Sequence, residues 1–309
     1  MPPRPSPAAP LRQAVIGQVR RLVGGTGDDT VERNRADVGL FGPESACWKV
    51  HGDFTSMMVG GTAALFLQML HPGALAGVWD HSNFRRDMLG RLQRTARFIA
   101  ATTYGDRAEA QGLIERVKAI HGHVRGSLPD GTPYAADDPE LLTYVHVAEV
   151  SSFLAAYLRY VDPGFPAAEQ DRYYGEVAEI ARRLGAPDVP RNRAEVAAYL
   201  EAVRPKLRSD VRSQAVASAL LAQPAPSPAA APAMKLTFDA AKDLLPAWAA
   251  EMHGFRLSGA RRATARAGIR ALGQGMRWAL TNSAEARARR RAAELAAEAG
   301  SAGEAAAAG

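Results

Sequence analysis

A single cysteine, Cys47, in 309 residues excludes an intramolecular disulfide framework and every multi-cysteine zinc or iron–sulfur site. It equally removes the paired thiols through which c-type haem is attached. Strand signals are nearly missing, with no Asn-Gly hairpin turn and no alternating Val/Ile/Thr run. The longest apolar run, Met57 to Leu70, contains two glycines and falls short of the roughly 18–20 residues a bilayer requires. The opening MPPRPSPAAP carries proline where a secretion signal needs an apolar stretch, so a cytoplasmic location is expected.

Several chemistries lack their motifs. There is no Gly-x-Gly-x-x-Gly after a strand, and Gly60-Gly61 lacks the Gly-Lys-Ser/Thr of a phosphate-binding loop. His-Glu-x-x-His and Gly-x-Ser-x-Gly do not occur. The helical di-iron pair Glu-x-x-His is missing too, because Glu149 follows His146 instead of preceding it.

What the chain does have is an ordinary globular composition, 47% hydrophobic and 23% charged, with enough length for a substantial core. Helical patterns run almost throughout, and the spacing predicts an all-α fold. Residues 1–10 read as disordered, Leu11 to Leu22 as a short helix, and Asp28 to Ala36 as a polar connection. Met57 to Leu70 reads as a buried helix ended by His71-Pro72. Helices follow over Arg85 to Tyr104, Arg107 to Arg125, Pro139 to Tyr160, Pro166 to Leu184 and Asn192 to Val203. The Pro/Ala stretch between Gln223 and Met234 cannot be helical throughout, and the terminal GSAGEAAAAG is expected to fray. Three regions result: 1–36, a single helical domain over 37–255, and arginine-rich helices with a tail over 256–309 that pack back on it.

The net charge of +6 is concentrated, with ten arginines and one acid, Glu285, between Arg256 and Arg291. Without interleaved aromatics or a recognised fold signature this points to a solvated face or peripheral contact with an anionic membrane, not to nucleic acid.

The seven histidines are His51, His71, His81, His121, His123, His146 and His253. His121 shares one helix face with Leu113, Val117, Ile120 and Val124, whereas His123 turns away from it. His146 shares a face with Leu142, Val150, Phe153 and Tyr157. Such an imidazole is either a core group with satisfied nitrogens or an iron ligand projecting from an apolar wall. Arg91, Arg94 and Thr95 stand at i, i+3 and i+4 on one side of a helix, close to Leu89, Leu92 and Phe98. Guanidinium groups beside apolar residues need carboxylates from a neighbouring helix or another anion, such as a haem propionate. Spacing does not choose between them.

The run from Phe41 to Gly105, with VKAIHGHVRG, DGTPYAADDPELLTYVHVAEVSSFLAAY and DRYYGEVAEIARRLGAP, resembles the MpaB/rubber oxygenase catalytic-domain family. The carrying motifs are Leu-Gln-x-x-His-Pro, Arg-Leu-x-Arg-Thr, His-x-x-Val-Arg/Gly and Gly-x-x-Tyr-x-Ala-x-Asp-Pro. This resemblance implies a globin-like helical core holding haem b, whose iron and dioxygen cleave a carbon–carbon double bond in an isoprenoid chain. Carried over by motif, His121 is the expected proximal iron ligand, with His146 and His71 nearby as cofactor-binding residues. Arg91 and Thr95 match the family's distal Arg and Thr. Arg94 completes the expected catalytic group but stands where latex-clearing proteins have a lysine able to ligate iron. Arginine offers no lone pair, so the distal position is expected to be open, water-bound or otherwise gated. The family's catalytic glutamate has no unambiguous counterpart here, the nearest acids being Asp80 and Asp87. The expected function is a haem-dependent oxygenase acting on a small apolar, unsaturated substrate. A non-catalytic haem or lipid carrier and a helical interaction module are the alternatives.

Overall fold

The computed structural model describes residues 9–23 and 37–307. The expectations for the opening residues, the 24–36 connection and the last two residues lie outside the described part.

Among the described residues, fourteen α-helices and one small hairpin form an all-α domain. In chain order these are α1 (Ala9–Val23), α2 (Ala46–His51), α3 (Phe54–Gln68), α4 (Pro72–His81), α5 (Met88–Tyr104) and α6 (Arg107–His121). A hairpin of β1 (Arg125–Ser127) and β2 (Pro133–Ala135) precedes α7 (Pro139–Tyr160), α8 (Ala167–Leu184) and α9 (Arg193–Val203). The remainder is α10 (Val211–Leu221), α11 (Ala231–Leu244), α12 (Ala247–Met252), α13 (Gly259–Ala279) and α14 (Ala284–Ala307).

Helix starts follow side-chain capping chemistry. Asp53, Asp87, Asp106 and Asp138 each accept a backbone N–H at the head of α3, α5, α6 and α7. α3 is apolar around most of its circumference, as a helix enclosed on all sides must be. It packs along α7, and Gly60 makes the close approach possible. A Cβ there would lie 2.9 Å from the Ser152 carbonyl oxygen and 3.0 Å from Phe153 Cα. Tyr144 of α7 donates its hydroxyl to the Leu67 carbonyl at 2.5 Å, fixing the register of the pair. By length and composition α7 could cross a membrane, but 67% of its apolar window is buried within this fold, where it is a central core helix.

Four local expectations are corrected. α5 begins at Met88 because a turn at Asn83–Asp87 delivers the Asp87 cap, whose carboxylate accepts Gly90 N–H at 2.9 Å. α6 stops at His121 because Gly122 caps it and Arg125 enters the hairpin. The hairpin was not foreseen, since its turn is Leu128 to Thr132 with Asp130 holding the Thr132 N–H at 3.0 Å, not an Asn-Gly pair. α14 continues to Ala307, through the GSAGE expected to fray.

α11 and α13 lie against α3 and against each other. Arg261 forks onto Asp239 at 2.9 and 3.0 Å, and Arg266 onto Asp243 at 2.6 and 3.0 Å. Asp243, only 2% exposed, also receives Arg159 and Arg262. Arg277 reaches the α3 cap Asp53 at 2.7 Å. Much of the arginine-rich segment therefore spends its charge on internal pairs.

Candidate functional site

A cavity of about 330 Å³ lies among α4, α5, the end of α6 and the first turns of α7, within the roughly 300–1,000 Å³ of small-molecule sites. Met69, Leu75, Val78, Leu92, Leu142 and Val145 make its walls largely apolar. On α4, Gly73 and Gly77 stand one turn apart and present bare backbone to it. Gln68 also lines it and donates to the Val145 carbonyl at 3.2 Å.

Two of the expected residues meet in this wall. His121, the last residue of α6, lines the cavity and buries Nδ1 without a hydrogen-bond partner. Burial lowers its basicity, with Asp137 pulling weakly the other way, so the imidazole is neutral at pH 7 and keeps a lone pair. Arg91 lines the same cavity. Burial and the neighbouring Arg94 both lower its pKa, and among the described residues no carboxylate pairs with it. The cavity is thus bordered by a cation without a carboxylate partner and by a neutral imidazole, against apolar walls.

The other expected residues lie elsewhere. Thr95 is exposed and returns its hydroxyl to the Arg91 carbonyl at 3.3 Å. Arg94 has a 67% exposed side chain, paired with Asp87 at 3.2 Å. His71 caps α4, its Nδ1 accepting Gly73 N–H at 3.2 Å while the ring lies 5.0 Å from that of Tyr144. His146 sits one turn beyond Leu142 on α7. Its Nε2 is buried without a partner, and burial pushes its pKa down to about 4. Neither candidate acid enters the cavity: Asp80 accepts the Tyr134 hydroxyl at 2.7 Å, and Asp87 is spent on the α5 cap and Arg94.

Glu149 is a further titratable group on α7 that the sequence reading weighed only for its spacing with His146. It stands on α7 one turn beyond Val145, the last residue of that helix to line the cavity. Burial pushes its carboxyl up to about 7. The available signal was an acid interrupting an apolar helix face.

Beside this region, at the junction of α2, α5 and α8, a second buried histidine is fully satisfied. His51 has Nδ1 2.9 Å from the Thr103 hydroxyl and Nε2 2.9 Å from the Tyr173 hydroxyl. Burial, then the nearby His146, lowers its pKa to about 3. Cys47 lies alongside, fully buried, and burial raises its thiol, so it packs as a small apolar residue. An open surface groove of about 540 Å³ at Trp248 is a poorer site, because its Arg204 is already paired with Glu201 at 2.7 Å.

Residues 48–278 match the family described as ER-bound oxygenase mpaB/B′/rubber oxygenase, catalytic domain. That span covers most of the chain and contains α3 to α7 with the whole cavity, and the protein belongs to this oxygenase family. No curated protein and no solved structure matches the chain.

Proposed function

We propose that the chain is a haem b-dependent oxygenase that uses dioxygen on a small apolar, unsaturated substrate of isoprenoid or lipid-like kind. The observation that carries this reading is the pairing of His121 with Arg91 in one otherwise apolar cavity. These residues fit the cofactor. His121 offers a neutral imidazole whose Nδ1 is sealed and whose ring borders open space, the form in which histidine binds iron. Arg91 offers a positive charge that lacks a carboxylate and suits a propionate or another anion. Bare backbone at Gly73 and Gly77 leaves room for a flat group against α4.

When bound, haem supplies the redox chemistry that lets dioxygen react with an alkene. The chain's own contribution is positional and electrostatic. His121 anchors, its ring direction set by the last turn of α6. Arg91, held in low-dielectric surroundings, stabilises negative charge that develops on oxygen atoms near it. Met69, Leu75, Val78 and Leu92 exclude water and hold an apolar chain beside these groups. Cleavage of the substrate's carbon–carbon double bond to carbonyl ends is the reaction we assign.

Oxygen uptake tests this directly. Haem-loaded protein, its content fixed by pyridine haemochrome, should consume dioxygen with an unsaturated isoprenoid and not with the saturated analogue. Equal uptake with both, or none with either, would overturn the assignment.

A further inference from the structure

Gln68, the second residue of the Leu-Gln-x-x-His-Pro motif, has no part in the cofactor reading. It ends α3 between Leu67 and Met69, both buried, whereas Gln68 and Leu65, one turn earlier, stay partly accessible. Both line the cavity, so the accessible side of this helix end is the cavity side. The carboxamide is also oriented. Nε2 donates to the Val145 carbonyl at 3.2 Å, and Val145 lines the same cavity. A carbonyl only accepts, so turning the amide over would set two oxygens against each other. Oε1 is thereby aimed away from Val145. Among the described residues no N–H or O–H donates to it, yet it is not sealed as His121 Nδ1 is. An uncharged acceptor with open surface therefore stands in an apolar wall, beside Met69 and Val145.

We propose that Gln68 is the hydrogen-bonding subsite of the cavity and recognises a hydroxyl group on an otherwise apolar ligand through Oε1. This rests on the cavity being the substrate site. An amide oxygen accepts and does not donate, so its complement is a donor on the ligand. A hydroxyl brings that donor without charge, and the apolar walls take the rest of the molecule. An ether oxygen in the same place turns lone pairs toward Oε1 and leaves both unmet. Anionic groups belong at Arg91, where the positive charge borders the cavity. The bond to Val145 fixes the amide before a ligand arrives, so little side-chain freedom is lost on binding.

The experiment titrates the full chain calorimetrically with a pair of isomers, octan-1-ol and heptyl methyl ether. They match in size and differ in whether the oxygen carries a hydrogen. Wild type should bind the alcohol about ten-fold more tightly than the ether. Gln68→Met keeps an unbranched side chain without the acceptor, and should bring the pair to within about two-fold. Gln68→Leu repeats the comparison, with melting followed by circular dichroism to show that each variant folds. A purely structural Gln68 would weaken both ligands together in the variants and leave their ratio unchanged, which would overturn the subsite. Equal binding by wild type, preference for the ether, or binding of neither would overturn it too. The visible spectrum of each sample separates this claim from the haem reading. An alcohol preference without a haem band would retain the subsite and remove the haem reading. A haem band without that preference would do the reverse.

Discussion

Two neighbouring interior regions hold imidazoles under opposite conditions. At the α2–α5–α8 junction, His51 has a hydroxyl on each ring nitrogen. In the cavity wall, His121 has a sealed nitrogen with no partner, and Arg91 has no carboxylate. The arginines of α13 show that this chain supplies partners where the role is structural, as Asp239 and Asp243 do for Arg261 and Arg266. The polar groups of these two structural clusters, His51 with its hydroxyls and the α13 arginines with their aspartates, are satisfied by the fold. The accessible edge of His121 and the guanidinium of Arg91 border a cavity instead.

The contrast breaks most visibly in stability. Replacing His51 by Ala strands the Thr103 and Tyr173 hydroxyls and opens a void, so unfolding in urea should show a loss of about 3–5 kcal/mol. His121→Ala, which strands nothing, should stay within about 1 kcal/mol of wild type. Equal losses would erase the distinction.

Titration sharpens it next. Glu149 titrates at about 7 in the fold against 4.5 ordinarily, so its neutral form is favoured there. Its stability contribution is intact below about pH 4.5 and is lost as pH rises toward 7, at about 1.4 kcal/mol per pH unit. Glu149→Gln should therefore be more stable than wild type by about 3.5 kcal/mol at pH 8 and nearly equal to it at pH 4.5. His51 runs the other way. Held near 3 against 6.5, it gives full stability above about pH 6.5 and loses it as pH falls. From pH 6.5 to 5 that loss is about 2 kcal/mol, absent from a His51→Phe variant.

The smallest effects separate the two arginines of α5. Arg91→Met removes an enclosed, unpaired charge and should stabilise the haem-free protein by about 1 kcal/mol while weakening haem retention. Arg94→Ala, at an exposed pair, should change stability by less than about 0.5 kcal/mol and leave haem content alone.

Sequence patterning carried the all-α class because apolar spacing and aspartate caps are local properties. The hairpin escaped it because its turn uses Pro129-Asp130-Gly131, residues that fit a loop equally well. Motif resemblance pointed to His121 and Arg91, and both line one cavity. It grouped Arg94 and Thr95 with them because i, i+3 and i+4 share one side of a helix. Which part of that side is covered depends on how α5 docks, a tertiary fact, and the structure leaves Arg94 and Thr95 in solvent. His71 looked like a ligand in Leu-Gln-x-x-His-Pro and sits as the cap of α4. Glu149 was weighed only as a metal-ligand spacing with His146, and its lack of a partner is visible only in three dimensions.

The most direct test of the proposal that this cavity holds haem is the visible spectrum of protein produced with ample haem precursor, wild type beside His121→Ala. The account predicts a Soret band in wild type and its loss in His121→Ala, with folding intact in both. A band that survives the substitution, or one missing from wild type, would contradict it.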